Sequence, residues 1–250
     1  MTLGSVLITG GGSGIGAELA AELAGRGCRV IVSGRRREML DEVASSSELV
    51  STCSGDVTDP DHRSALVSAL ATSPGPRAIV HAAGYFQTGM LDVLSTDDWR
   101  RSFEVNVEAR WELSRDAVTL LDGGRVLFIG SDAGSTPRAG AAAYSIAQAA
   151  SETLRRALQS EWAETSISVG AFKPGLVDTD MVRGFMRLSP EEFPARAAYE
   201  DYVARGQVAT PRTIARFAAW LLLDVPSRRF AGTEWDVRDE SHHGEWSDSG

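Results

Sequence analysis

Lysine is almost absent from this sequence of 250 residues: Lys173 is the only one, and arginine makes up the rest of the 25 basic residues. Acidic residues number 34, and the formal net charge is −9. Because nucleic acids and anionic membrane surfaces attract positive charge, this balance argues against both as partners. Any chemistry that requires a lysine side chain has one candidate in the whole chain.

Cysteine and long apolar runs are also scarce. Cys28 and Cys53 follow no metal-binding or redox spacing, which favours reduced thiols in the core of a cytoplasmic protein. The N-terminal stretch MTLGSVLITGG has a short apolar run without the basic segment of a signal peptide. No apolar run approaches the roughly 20 residues needed to cross a bilayer. We therefore expect a soluble, cytoplasmic protein.

The sequence does contain a regular alternation of apolar strands and helical patterns. The strand patterns are SVLITG, CRVIVSG, LVSTCSGD, RAIVHAAG, GRVLFIGS, ISVGAFKPG and the closing GTEWDVRD. Continuous apolar strands separated by helices indicate a parallel sheet that is covered on both faces. The pattern predicts a Rossmann-like, doubly wound α/β fold with about seven strands.

The length suits a single domain over residues 1–250. A long helical region is predicted from about Thr96 to Leu121, and a further helix over Ala142–Leu154. The acidic residues at about 239–250 are expected to form a polar, loosely ordered tail.

A glycine-rich turn, TGGGSGIG, stands between the first strand and the first helix. Glycines let the backbone turn tightly and approach a pyrophosphate, and the following helix N-terminus supplies N–H donors. This strand–turn–helix context predicts a bound dinucleotide. The residues expected to hold it here are Gly10, Gly12, Ser13, Gly14, Ile15 and Gly16.

The end of the second strand indicates which dinucleotide binds. An NAD site has a carboxylate there for the ribose 2′-hydroxyl, but this strand ends in Gly34 and Arg35, the first of three arginines. Arginine suits a 2′-phosphate, so we expect NADP(H) rather than NAD(H), with Arg35 as the main discriminator. The alternative is a solvated basic helix start.

After the third strand, Asp56 and Val57 offer a carboxylate and a backbone N–H for adenine.

Together these motifs resemble the short-chain dehydrogenase/reductase family from about Val6 to Asp239. Asn106 in VNV, Ser131 in IGSDAG and Tyr144, thirteen residues later, stand where that family keeps its asparagine, serine and tyrosine. HAAG is similar to a variant of the family's Asn-Asn-Ala-Gly turn, and KPGLVDTDM resembles its nicotinamide- and phosphate-binding segment. The resemblance implies cofactor contacts for Ala82, Gly84, Pro174, Gly175, Val177 and Thr179.

The sequence departs from that family at Gln148, where the family has a lysine. Gln148 follows Tyr144 by four residues, so on a helix the two side chains share a face. The resemblance assigns the lysine to ribose binding, to lowering the pKa of the tyrosine and to a water relay. An amide can still bind the ribose but brings no charge. The candidate catalytic residues are Tyr144, Ser131, Asn106 and Gln148.

Without a nearby charge, a tyrosine has a pKa of about 10 and is only about 0.1% ionised at pH 7. Tyr144 should therefore be a poor base for alcohol oxidation but almost fully in the acid form that reduction requires. Two interpretations of Lys173 stay open: a substitute cation near the cofactor, or a solvated surface residue, which is favoured.

Other polar residues carry weaker signals. His81 is expected to be a packed, hydrogen-bonded histidine rather than a base. His242, His243 and Glu245 are more typical of a polar tail than of a metal site, so we expect no metal.

Two segments are predicted to form the substrate pocket: residues 85–91 and residues 181–202. The second resembles the variable substrate-covering insertion of that family, at about 181–206. Phe185, Met186, Phe193 and Tyr199 either line this pocket or pack the lid on the body, and both interpretations stay open. Arg183 or Arg187 could meet an acidic group of a substrate.

The leading hypothesis is an NADPH-dependent reductase that acts on a ketone or related carbonyl of a small organic molecule. One rival is a non-redox enzyme, such as a dehydratase, isomerase or cyclase. The other is a catalytically silent subunit that binds cofactor and partners an active homologue. The resemblance also implies a homotetramer or homodimer, assembled through the helices around Glu108–Leu121 and Ala142–Trp162.

Overall fold

A computed structural model describes residues 3–247 and shows a seven-stranded parallel sheet. The strands along the chain are β1 (Ser5–Thr9), β2 (Arg29–Gly34), β3 (Val50–Ser54), β4 (Arg77–His81), β5 (Arg125–Ile129), β6 (Ser168–Lys173), β7 (Leu176–Val177), β8 (Val208–Ala209) and β9 (Trp235–Asp236). β7 and β8 form a separate pair, and the main sheet has the order β3-β2-β1-β4-β5-β6-β9. This confirms the predicted doubly wound α/β class.

Helices cover both faces of the sheet. They are α1 (Gly14–Gly25), α2 (Arg37–Ala44), α3 (Pro60–Ala71), α4 (Thr96–Phe103), α5 (Ala109–Asp116), α6 (Ala142–Glu161), α7 (Asp180–Phe185), α8 (Arg196–Ala204), α9 (Pro211–Leu223), α10 (Ser227–Gly232) and α11 (His243–Trp246). Val6 and Ile8 of β1 belong to an apolar cluster with residues of α1 and α9, whereas Leu7 packs with residues of α3 and α5. Successive strand residues point to opposite faces, so β1 is buried on both sides.

The predicted helical region over 96–121 is helical but not continuous. α4 is followed by a π-helical turn at Glu104–Glu108, then by α5 and a short 3₁₀ turn at Val118–Leu120. A π-helical turn holds one more residue per turn than an α-helix, so it changes the direction of every side chain that follows.

The expectation of a loosely ordered tail from Asp239 onward is wrong for residues 240–247. Trp246 of α11 is buried, and its ring lies 5.4 Å from that of Phe217. The Glu245 carboxylate accepts from Arg229 at 2.6 Å, and Arg229 also contacts His242. Burial of the Trp246 ring stabilises the packing of residues 240–247 against the rest of the protein. Residues 248–250 of the predicted tail lie outside the described residues.

The topology creates a crevice at the carboxyl edge of the sheet. β1 pairs with β2 on one side and with β4 on the other, so the winding of the chain reverses between β1 and β4. The chain continues from these two strands in opposite directions. A gap therefore opens outside their carboxyl ends, which is where ligands bind in open α/β sheets. The predicted glycine turn and the Tyr144 helix both begin at this edge.

Candidate functional site

A cavity of about 390 Å³ opens at this edge of the sheet and brings nearly all of the predicted site residues together. Those that line it are Gly10, Gly12, Ser13, Gly14, Ile15, Gly16, Arg35, Asp56, Val57, Ala82, Gly84, Ser131, Tyr144, Gln148, Pro174, Gly175, Val177 and Thr179. They come from the segments that follow β1 to β6, including α6. Asn106 lies behind the lining, as described below.

The turn after β1 needs glycine for two physical reasons. Gly10 and Gly14 have φ values of +69° and +54°, which side-chain-bearing residues rarely adopt. A Cβ on Gly10 would lie 2.7 Å from the backbone nitrogen of Ala83, and one on Gly16 would lie 2.4 Å from the carbonyl oxygen of Gly10. The Ser13 side chain does not cap α1. The N–H groups of the first turn are therefore available to an anion in the cavity.

Two exposed arginines flank this glycine turn. Arg35 follows β2 without any acidic residue at the strand end, and Arg36 donates from Nη2 to Ser13 Oγ at 3.2 Å. Both line the cavity, whereas Arg37 points along α2 and pairs with Asp41 at 3.6 Å. Two guanidinium groups beside a helix N-terminus fit a nucleotide that carries an extra phosphate. The three-arginine run in the sequence signals Arg36 as well as Arg35.

Asp56 is held by two partners at the rim of the cavity. Its carboxylate accepts from the Thr58 backbone N–H at 3.0 Å and hydroxyl at 2.8 Å, and it pairs with Arg101 of α4. Burial opposes ionisation, but the hydrogen bonds from Thr58 and the charge of Arg101 together lower the pKa of Asp56. The carboxylate is thus ionised and fixed, in a position that fits the predicted adenine contact.

Asn106 supports the loop after β4 instead of lining the cavity. It is fully buried in the π-helical turn, where its Oδ1 accepts from the Tyr85 N–H at 3.1 Å. Its Nδ2 donates to the Tyr85 carbonyl oxygen at 2.8 Å. A Cβ on Gly84 would lie 3.6 Å from Asn106 Oδ1, so the amide lies directly beneath this loop. In these contacts Asn106 has a supporting role.

Tyr144 lies near the start of α6 and lines the cavity. Its ring packs edge-on against Phe86 with centroids 5.0 Å apart. Burial raises the pKa of Tyr144, while a hydrogen bond with Ser131 and the positive charge of Arg110 act in the opposite direction. The net result is a raised pKa, so the phenol is protonated at neutral pH and can donate a proton.

Gln148 lies one helical turn after Tyr144 and is almost completely buried. Its Oε1 has no hydrogen-bond partner. A buried amide oxygen without a partner is unfavourable, which makes this atom a natural contact for a hydroxyl group of a ligand. The position therefore fits the predicted contact with a ribose.

Arg110 is a buried residue of this site that sequence reasoning missed. It belongs to α5 and is buried beside the cavity, where it influences the pKa of Tyr144. Burial lowers the pKa of Arg110 to about 10, which leaves it charged at neutral pH. Its spacing of four residues from Asn106 was a signal, but the π-helical turn between them changes the angle at which Arg110 leaves the helix.

Lys173 does not line the cavity that holds Tyr144. It is half-buried and lines a second cavity of about 260 Å³, together with Glu234. Arg110, Ser131 and Gln148 line both cavities and so stand between the two. This geometry gives no support to Lys173 as a substitute cation.

His81 is packed as predicted. One ring nitrogen, Nε2, lies 2.9 Å from Ser114 Oγ, and the ring packs against Phe128 at 4.7 Å. Burial, helped by the charge of Arg110, holds the pKa of His81 well below its usual value. His81 is therefore neutral and has its place in the core.

The predicted pocket segments form the apolar end of the cavity. Phe86, Phe185 and Tyr199 line it, whereas Phe193 is completely buried behind them and Met186 packs against the same cluster. Phe185 and Tyr199 therefore line the cavity, whereas Phe193 and Met186 pack the covering segment on the body. Arg183 forms ion pairs with Asp178 and Asp180 at 3.1 and 3.4 Å, so its charge is already matched.

Among residues 3–247, no helix combines the length and the apolar character that crossing a bilayer requires.

Comparisons with known proteins agree with this geometry. The sequence profile of the short chain dehydrogenase family matches residues 5–187, which is more than half of the chain. Versicolorin reductase stcU of Emericella nidulans is 32% identical over 225 residues, which cover 86% of this chain and 80% of that protein. Galactitol 2-dehydrogenase (L-tagatose-forming) of Cereibacter sphaeroides is 32% identical over 232 residues, which cover 89% and 88%.

A solved structure from Beutenbergia cavernae, which contains NADP at low occupancy, superposes with a TM-score of 0.79 and 29% identity. The superposition covers 98% of this chain and 97% of that one.

Proposed function

This chain belongs to the short-chain dehydrogenase family, an oxidoreductase family, and we propose that it is an NADPH-dependent reductase of a ketone or related carbonyl. The observation that carries the proposal is the position of Tyr144. Its protonated phenol lies in the same cavity as the glycine turn and faces the apolar end lined by Phe86 and Phe185. A proton donor, a nucleotide cradle and an apolar pocket therefore meet at one place.

NADPH is proposed as the reductant because of the two arginines beside the glycine turn. Arg35 and Arg36 offer charge-assisted hydrogen bonds to a 2′-phosphate, and Gly34 offers no carboxylate to a 2′-hydroxyl. The N–H groups at the start of α1 would hold the pyrophosphate. When bound, a reduced nicotinamide supplies the hydride that reduces a carbonyl carbon.

The residues of the chain complete this reduction by handling the proton. Ser131 lies within hydrogen-bonding reach of the Tyr144 hydroxyl and would orient the substrate oxygen beside it. The O–H bond of Tyr144 breaks as the substrate oxygen takes the proton, which turns the carbonyl into an alcohol and leaves a phenolate. The phenolate then regains its proton from water.

The direction of the reaction follows from the state of Tyr144. Because burial raises the pKa of Tyr144, the acid form dominates across the neutral range. Reduction uses that form directly, whereas oxidation needs the scarce phenolate as a base. We therefore expect the reductive reaction to be the faster one near neutral pH.

The test is a panel of ketones with NADPH, followed by the loss of nucleotide absorbance. We expect consumption of NADPH and formation of one alcohol per nucleotide with at least one apolar or aromatic ketone. Substrate turnover without nucleotide consumption would instead indicate a non-redox enzyme. Nucleotide binding without any turnover, together with capture of a homologous subunit, would indicate a catalytically silent partner.

A further inference from the structure

Arg110 is a buried charge that the proposed reaction leaves without a purpose. Its side chain is 4% exposed, and its guanidinium donates to Ser151 Oγ at 3.0 Å and to the carbonyl oxygens of Ala83 and Ile129 at 3.2 and 3.3 Å. Its Nε has no partner, and within the described residues no carboxylate lies at ion-pair distance from it. A buried charge without a counter-ion is unfavourable, so its retention requires a reason.

The three partners of Arg110 lie on α6, at the end of β5 and in the turn after β4. Ser151 follows Tyr144 by seven residues on α6, so Tyr144, Gln148 and Ser151 share one face of that helix. Ile129 ends β5, two residues before Ser131, and Ala83 belongs to the turn after β4. The guanidinium is thus anchored at the elements that carry the tyrosine and the serine, and it lines the same cavity.

The acidic and phenolic groups near Tyr144 are neutral or already paired, and the Arg138 guanidinium lies over the ring of Tyr199, 4.9 Å from its centroid. Tyr199 of α8 has a pKa that burial raises, so it is a neutral phenol, and buried His81 is also neutral. The Asp132 carboxylate is paired with Arg238 at 2.9 Å, and Glu152 with Arg155 at 2.6 Å.

The geometry points to Arg110 as a positioning residue that, from α5, holds a positive charge beside Tyr144 and stabilises the phenolate left after proton donation. This inference rests on the proposed reductase function. The positive charge beside Tyr144 thus comes from α5, whereas the position on α6 four residues after Tyr144 is occupied by the neutral Gln148. Burial raises the pKa of Tyr144, and the charge of Arg110 limits that rise.

The experiment removes the charge with Arg110→Met and measures the ionisation of Tyr144 directly. The protein is labelled at the hydroxyl-bearing ring carbon of its four tyrosines, and Tyr144→Phe assigns the signal. Loss of the cation should raise the pKa of Tyr144 by about 1 to 3 units, because an opposite charge at close range favours the ionised form. The alkaline decline of reductive kcat should move up by the same amount. The titration uses the free protein, so it remains informative if the ketone panel fails.

Arg125→Met is the matched control. Arg125 is equally buried, binds the carbonyl oxygens of Leu221 and Val225, and also has a pKa lowered by burial to about 10. It lies at the other end of β5, so its loss should reduce stability without moving the titration of Tyr144. Arg110→Lys, which keeps a charge but loses the fork of hydrogen bonds, should stay closer to wild type than Arg110→Met.

A lysine placed on α6 should restore the pKa of Tyr144 in the Arg110→Met variant. Adding Gln148→Lys to Arg110→Met returns a cation to the face of Tyr144 and should bring its pKa back down. If the methionine variant does not fold, Arg110→Gln removes the charge while keeping a donor for Ser151. An unchanged Tyr144 titration in a folded, charge-free variant would overturn the inference and leave Arg110 as a structural clamp.

Discussion

The glycine turn after β1 and the Tyr144 face of α6 lie on one cavity but are built in different ways. The turn is made by eight consecutive residues. Its shape follows from positive φ values at Gly10 and Gly14 and from close backbone packing at Gly10 and Gly16. The proton-transfer site is assembled from three elements, with Tyr144 and Gln148 on α6, Ser131 after β5 and Arg110 on α5. A site shaped by its backbone tolerates little change at the glycines that meet other backbone atoms, whereas a charge can be supplied to a site from another element.

The largest effect should come from the proton donor. Tyr144→Phe removes the hydroxyl and should lower reductive kcat by about 10² to 10⁴-fold, the usual contribution of general acid catalysis. NADPH affinity should stay the same, because the glycine turn is untouched. Steady-state rates and a nucleotide titration on the same preparation measure both. Nearly full activity in this variant would remove Tyr144 from the mechanism.

A substitution in the glycine turn should instead weaken nucleotide binding and lower stability. Gly10→Ala forces a side chain into a φ of +69° and against the Ala83 backbone, at a cost of about 1 to 3 kcal/mol. We expect a lower melting temperature and NADPH binding weakened by about ten-fold or more.

Gly25→Ala is the control for this change, because a Cβ there meets nothing within 4 Å and alanine favours the helix. It should be neutral or slightly stabilising. Equal effects of the two substitutions would show that the backbone of the turn is not the determinant.

Nucleotide preference should change by a smaller factor. Arg35→Ala should weaken NADPH binding by about ten-fold, the value of one charge-assisted hydrogen bond, and should leave NADH binding almost unchanged. Arg36→Ala should have a similar or smaller effect. Arg37→Ala is the matched control, since that side chain pairs with Asp41. Equal affinities for the two nucleotides in the wild type would contradict the assignment.

The smallest expected effect is that of Gln148→Lys alone. A lysine near the Tyr144 hydroxyl favours the phenolate, so the pKa of Tyr144 should fall, by about one unit because Arg110 already acts there. Reduction should then decline at a lower pH, and alcohol oxidation near neutral pH should improve. Rate profiles in both directions test this, with Gln148→Met as the neutral control. A profile identical to that of the control would mean that α6 does not govern the charge at the tyrosine.

Sequence patterns predicted the sheet and the glycine turn that lines the cavity because both depend on local features. An apolar strand and a glycine turn are each specified by residues within a few positions of one another. Arg110 could not be found in this way, since its burial depends on contacts with Ser151 and Ile129, far away in the chain. Phe193 shows the same limit: an aromatic lid residue looks alike in sequence whether it lines a pocket or is buried behind it.

The π-helical turn at Glu104–Glu108 makes the site sensitive to chain length as well as to residue type. Deleting one residue there would let α4 and α5 join as a regular α-helix. Everything after the junction would then rotate by about 100° around the helix axis, the angle that one residue spans. Arg110 would leave the face that meets α6 although no residue of the site had been substituted. Deletion of a single codon would therefore remove the positive charge from beside Tyr144 without a substitution at Arg110.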